Sequence, residues 1–429
     1  MKRFSFIFIL LIIIFTSCKK DEPAIEVTPA MARDSLYFIM KQWYYWYDLM
    51  PVVTREDYND PYELMEAMRY RPLDRWSFVI DYDEYMEQVQ GTFTGHGIRI
   101  GIDNASKARI SMIYRNSPLY AEGVRRGWII KSINGTDIAP LIIAGNFEAY
   151  NNIIGPANEG VRNTFIFQKP DGTETTIAST KSTFTLDTVI LYDTLHLSTG
   201  LTGHIVSESF ILPTENELKL AFAFFKENKV KELILDLRYN PGGYLYVAQT
   251  LASYIAGNGL AGTTFAKLQY NSKNQAANSS FPFIATSFPM SLQKVIVITT
   301  RVTASASEAV MNGLKGFVDV ISIGDTTEGK PTGMNGWAVA EKYFFWPVTF
   351  KIVNANDQGD YFDGIAPEKL VWDDITHDFD DRNEACLNEA IHYLETGTFS
   401  GKSAVSFIKP SPQFSEKPSW VNNAFIKEK

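Results

Sequence analysis

Apolar positions change their spacing along the chain, and each spacing predicts a different kind of structure. An apolar run, interrupted only by Ser5, covers Phe4 to Phe15, followed by charge and proline without periodicity over residues 19–30. From Ala32 to Tyr47 apolar side chains (Leu36, Ile39, Met40, Trp43, Tyr44, Tyr47) recur at three and four positions, which predicts a helix with one wide buried face. A second helix is predicted over Pro61 to Arg69. Between Gly95 and about Ser182 the texture becomes short alternating strands: His96 to Ile102, Ala108 to Ile113 and Trp128 to Gly135, with a short glycine-closed helix within residues 117–127. Beyond Phe184 helices alternate with strands. A helix over Glu215 to Asn228 leads into the strand Glu232 to Arg238, the strand Lys294 to Thr300 precedes a helix over Ser307 to Leu314, and a further strand follows from Val318 to Ile323.

The apolar run at the start is preceded by Lys2 and Arg3, which is the layout of a secretory signal, and it is short for a membrane span. It ends at Phe15-Thr16-Ser17-Cys18, which resembles a bacterial lipobox and implies lipidation of Cys18; an unprocessed anchor is the alternative. Cys386 is the one other cysteine, which leaves Cys18 no evident disulfide framework. Lys19-Lys20-Asp21-Glu22 resembles the signal that sends lipoproteins of some Bacteroidetes to the cell surface. Residues 1–18 therefore read as a lipoprotein signal peptide, residues 19–30 as a tether, and the location as the cell envelope, at the outer membrane, on its periplasmic face or the cell surface.

The remainder divides into a small helical domain (31–90), a β-domain (91–183), an α/β domain (184–400) and a tail rich in proline, serine and lysine (401–429). At 429 residues with 45% hydrophobic content, the chain has ample material for buried cores. A net charge of −9 and the lack of a basic stripe argue against a nucleic-acid partner. The cluster Trp43, Tyr44, Tyr45, Trp46 invites a sugar or membrane reading, but a helix buried against a neighbouring domain explains it better.

The segment Ser117-Pro118-Leu119-Tyr120-Ala121-Glu122-Gly123-Val124-Arg125-Arg126-Gly127-Trp128, running on to Asn134-Gly135, resembles the signature of PDZ domains, with Trp128 where that family usually has aspartate. A PDZ domain adds an extended C-terminal peptide as a strand and holds its carboxylate on backbone N–H groups. By this resemblance the loop entering the first strand, Gly95, His96, Gly97 and Ile98, forms the peptide-binding turn. A β-domain serving only as a spacer is the alternative.

Val302-Thr303-Ala304-Ser305-Ala306-Ser307-Glu308 places hydroxyl groups at a strand-to-helix corner. Ser305 and Glu308 have the spacing of a capping box, which needs no chemistry. The same corner suits a nucleophile, because a helix N-terminus favours developing negative charge and the Ala306 N–H can help hold an oxyanion. Gly242 and Gly243, after the strand ending at Arg238, form a second candidate oxyanion loop. Lys330 follows Ser305 by one helix and one strand, the length that returns the chain to the same sheet edge. It lies between Gly329 and Pro331; as a general base it must be neutral, which requires burial.

Taken together, Asp236-Leu237-Arg238-Tyr239-Asn240-Pro241-Gly242-Gly243, Thr303 to Glu308, Gly324 to Lys330 and Asp363 to Glu368 resemble the motifs of the C-terminal processing, or tail-specific, serine peptidases. The resemblance implies an α/β fold of the ClpP/crotonase type beside the PDZ domain, Ser305 as nucleophile and Lys330 as its base. It also implies oxyanion donors at Gly242, Gly243 and Ala306, no cofactor or metal, and a peptide or protein substrate with a free C-terminus. One position departs from the family: Met334 stands where many members carry a glutamine that orients the lysine. Thr332 or Asn335 is then expected to take that role, or a plain dyad suffices, or activity falls, which leaves open a peptide-binding lipoprotein with little or no activity.

Overall fold

The computed structural model describes residues 26–401 and the two-residue strand Phe414–Ser415. The apolar run at the start and Cys18 lie outside the described residues.

The first helix, Pro29–Trp43, is capped by the Thr28 hydroxyl, which accepts from the Met31 N–H, and carries proline at its first position. It stops before the end of the apolar repeat because the Tyr45 N–H donates to Val348 O at 2.8 Å, so a tertiary contact overrides the helical pattern. Tyr44 and Trp46 are buried, and the Tyr44 hydroxyl donates to Asp74 Oδ2 at 2.7 Å. The second helix is Pro61–Met68. Residues 31–90 do not build a core of their own. Leu36, Met40 and Trp76 belong to the apolar cluster that also contains Leu235, Val297 and Phe345, and the strand Phe78–Asp81 pairs with Tyr343–Trp346.

The β-domain has a separate core of Ile98, Ile110, Ile130, Phe165 and Phe167. Its sheet runs in the order Ile98–Ile102, Ala108–Ile113, Ile129–Ile133, Arg162–Gln168, Glu174–Thr180, with Phe414–Ser415 beside the first strand.

The central sheet of the α/β unit has the order Lys369–Leu370, Asp319–Gly324, Lys294–Thr299, Glu232–Asp236, Gly200–Ser207, Val189–Leu197. All neighbours are parallel except the last pair. Its middle strands are continuous apolar runs because both faces are covered: Leu233 to Leu235 and Val295 to Ile298 are fully buried. Each such side chain contributes roughly 1.5–3 kcal/mol of burial. Three adjacent strands, ending at Asp236, Thr299 and Gly324, deliver their following loops to one edge, where ligands of parallel sheets bind.

A buried ionic cluster joins the β-domain to this unit. The Arg126 guanidinium donates to Asp373 Oδ1 (2.9 Å) and to the Tyr239 hydroxyl (2.7 Å), and Arg238 pairs with Asp236, Asp373 and Glu384. Burial opposes ionisation of Asp373, but Arg126 and Arg238 hold its carboxyl below the usual range.

Candidate active site

Ser305 caps the helix Ala306–Leu314 with a positive φ of 60° and a ψ of −103°, a strained backbone for a residue with a side chain. Such a conformation costs of order 1–3 kcal/mol, which the surrounding bonds must offset. They do so from both sides. Thr303 Oγ1 donates to Leu237 O at 2.8 Å, and the Ala304 N–H donates to Asn240 O at 3.1 Å, so the serine corner is bound to the loop after the neighbouring strand. The Ser307 hydroxyl reaches the same Asn240 O at 3.0 Å.

The capping-box spacing has a different meaning here from a plain cap. The Ser305 hydroxyl donates to Thr332 O at 3.3 Å. Glu308, fully buried, accepts the Ser305 N–H, the Gly329 N–H (2.7 Å), the Lys330 N–H (2.9 Å) and the Thr327 hydroxyl. Burial raises its pKa, and these donors counteract that. The carboxylate thus staples the serine corner to the lysine loop. From the other side, the Glu328 N–H donates to Thr303 O, and the Ile365 N–H to the Thr327 hydroxyl at 2.7 Å.

Lys330 is 1% exposed, and burial lowers its pKa to about 7, against the opposing charges of Asp74, Glu328 and Glu308. Its Nζ donates to Met334 Sδ at 3.5 Å and lies 5.7 Å from the centre of the Trp76 ring. The methionine therefore occupies the place of an orienting partner as a weak sulfur acceptor. Asn335 is turned elsewhere: its N–H donates to Thr349 Oγ1 and its amide lies 3.4 Å from the Tyr270 hydroxyl. Thr332 faces the serine through its carbonyl, while its buried hydroxyl has no partner among the described residues.

Of the expected oxyanion donors, Gly242 is already engaged, since its N–H donates to Asn240 Oδ1 at 2.9 Å. No bond engages the N–H of Gly243 or Ala306 among the described residues. Gly243 has φ of 138°, and a Cβ there would lie 2.1 Å from Phe210 O, so only glycine fits this strand-like approach.

The turn of the β-domain is built differently from a set of exposed contacts. Gly95, His96, Gly97 and Ile98 are all buried. His96 lies between Ser179 Oγ (2.9 Å) and Asn163 Oδ1 (2.7 Å), and burial lowers its pKa to about 4, leaving the ring neutral.

The contribution of residues 74–77 is invisible in the sequence pattern. Asp74 accepts the N–H groups of Trp76 and Ser77, both at 2.9 Å, and the Arg75 guanidinium donates to Glu328 O at 3.3 Å beside the lysine. No spacing rule marks them; the chemistry of Asp-Arg-Trp-Ser alone is the available signal.

The chain belongs to peptidase family S41. Residues 201–370 match the model of Peptidase family S41, and residues 33–78 match that of the Peptidase S41 N-terminal domain. A "Probable CtpA-like serine protease" of Staphylococcus aureus is 25% identical over 264 residues, covering 58% of this chain and 48% of that protein. The protein of the same description from Staphylococcus epidermidis is 24% identical over 266 residues, covering 60% and 49%. The chain thus matches about half the length of these relatives. A crystal structure of a Bacteroides fragilis protein assigned to the S41 proteases superposes with a TM-score of 0.70 at 22% identity, over 85% of this chain and 97% of that one, a likeness of fold.

Proposed function

We propose that the chain is a serine endopeptidase working through Ser305 and Lys330. The observation that carries this reading is a buried lysine with its pKa lowered to about 7, stapled by Glu308 to a serine held in a strained, positive-φ corner. Ser305 Oγ attacks the scissile carbonyl while neutral Lys330 takes its proton. The N–H groups of Gly243 and Ala306 then receive the oxyanion, with Gly242 supporting their turn. Lys330 passes the proton to the leaving amine; once that product departs, neutral Lys330 takes a proton from water, the hydroxide displaces the acyl group from Ser305, and Lys330 returns the proton to Ser305 Oγ. No cofactor enters these steps.

Ser305 is fully buried and Lys330 nearly so, hence substrate entry requires their cover, which includes Trp76, to move. We assign the α/β unit to the ClpP/crotonase class and the β-domain to the PDZ class. In this reading the β-domain captures the C-terminal end of a peptide or protein along Ile98–Ile102, with the backbone of the Gly95–Gly97 turn taking the carboxylate and His96 bracing that turn from inside. Lipidation of Cys18 would hold the chain in the cell envelope, at the outer membrane.

Cleavage of an unstructured reporter with an apolar C-terminus, followed by mass spectrometry, tests the function. Cutting by the unaltered protein and none by Ser305→Ala or Lys330→Ala supports it. No cutting by any of the three across several reporters favours a binding protein instead.

A further inference from the structure

The strand Ile98–Ile102 has one neighbour inside its domain, Ala108–Ile113, to which it pairs antiparallel. Its other side is a sheet edge, which presents backbone N–H and C=O groups to any strand that can reach them. The C-terminal stretch of the same chain takes that side: Phe414 stands opposite Ile100 and Ser415 opposite Arg99, antiparallel. This direction carries the tail toward the Gly95–Gly97 turn, the direction in which a captured C-terminal peptide would run. Residues 416–429 still follow, so the inserted segment is internal to the chain.

The reach and the extent of the contact both follow from the sequence. Gly401 leaves from an anchored point, because the Ser400 N–H donates to Glu389 Oε1 at 2.7 Å and Lys369 Nζ donates to Ser400 O at 2.8 Å. Residues 402–413 span up to about 40 Å when extended, enough to cross a domain of this size. Pro410, Pro412 and Pro418 lack N–H groups and limit how far a ladder can grow on either side of Phe414–Ser415. A short ladder is a weak one, suited to being displaced.

We propose that the segment around Phe414–Ser415 is an internal ligand of the Ile98–Ile102 edge, so that the chain's own tail and an incoming substrate tail compete for the same backbone. The competition rests on the peptide-capture reading above; the occupancy does not. A tail that covers the edge for nine-tenths of the time lowers the apparent affinity for a peptide about tenfold.

The test uses the purified chain lacking the amino-terminal apolar run, with Ser305→Ala to prevent cutting, alone and with Phe414→Pro plus Ser415→Pro. Hydrogen exchange at Ile98–Ile102 is expected to be about tenfold faster in the proline variant, and a labelled apolar peptide with a free C-terminus is expected to bind it about tenfold more tightly by fluorescence anisotropy. Equal exchange in the two proteins overturns the proposal. Faster exchange with no peptide binding to either protein leaves the internal ligand standing and removes peptide capture.

Discussion

Ser305 and Lys330 share one oxygen: the backbone N–H of each donates to Glu308 Oε2. The two side chains assigned to nucleophile and base therefore hang from backbone segments fixed to a common point, although they arise from loops after different strands. Such fixing matters because a displacement of about 1 Å at a reacting group costs on the order of 10²-fold in rate.

Glu308→Gln keeps the size and an acceptor oxygen but loses the charge and one acceptor. A fall in kcat of roughly 10²-fold with little change in KM is expected, and Glu308→Ala should lose more. If Glu308 were only a helix cap, Gln would match wild type in kcat while both variants lowered Tm.

The pH profile follows from the lysine. A base with pKa of about 7 must lose its proton to act, so kcat/KM is expected to rise through about pH 7 and level off above it. Met334→Gln supplies a stronger acceptor for the charged amine, which favours the protonated form and should move the midpoint up by roughly 0.5–1 unit. Asp74→Asn removes a charge that raises the lysine pKa and should move it down. Midpoints that ignore both substitutions would separate the profile from Lys330.

Stability carries the same signature with a definite sign. The unfolded lysine holds its proton up to about pH 10.4, whereas the folded one releases it near 7, so between these values the unfolded state binds more protons and folding stability rises with pH. Lys330→Met removes that penalty. Its stability advantage over wild type, read by urea denaturation, is expected to be largest below pH 7 and to shrink toward pH 10.

Removing a member of the buried ionic cluster exposes the rest to an uncompensated charge. Asp373→Ala leaves both Arg126 and Arg238 short of a partner and is expected to cost about 3–5 kcal/mol in unfolding free energy. A loss below about 1 kcal/mol would mean that water reaches the cluster.

Much of this arrangement is legible in the chain before any coordinates. Parallel strands buried on both faces are continuous apolar runs, and so Glu232–Asp236, Lys294–Thr299 and Asp319–Gly324 declare themselves along with the loops that follow them. Gly242, Gly243, Ser305 and Lys330 are visible for the same reason, as unusual residues just past a strand end. The engagement of Gly242 with Asn240 is not, because a side-chain bond inside a tight turn leaves no periodic trace. Nor does periodicity reveal that the Trp76 ring lies near the lysine amine, and that the Asp74 charge acts on it, from a segment more than two hundred residues earlier in the chain. The aromatic repeat of the first helix overshoots its end at Trp43 because Tyr45 pairs with Val348, a tertiary bond.

The most direct test of the serine–lysine pair is the rate of covalent labelling by a fluorophosphonate, followed by intact mass and peptide mapping from pH 5 to 9. One adduct on Ser305, forming at a rate that climbs through about pH 7 and collapses in Lys330→Ala, is the predicted result. Labelling at another residue, or at Ser305 with the same rate in Lys330→Ala, would contradict it.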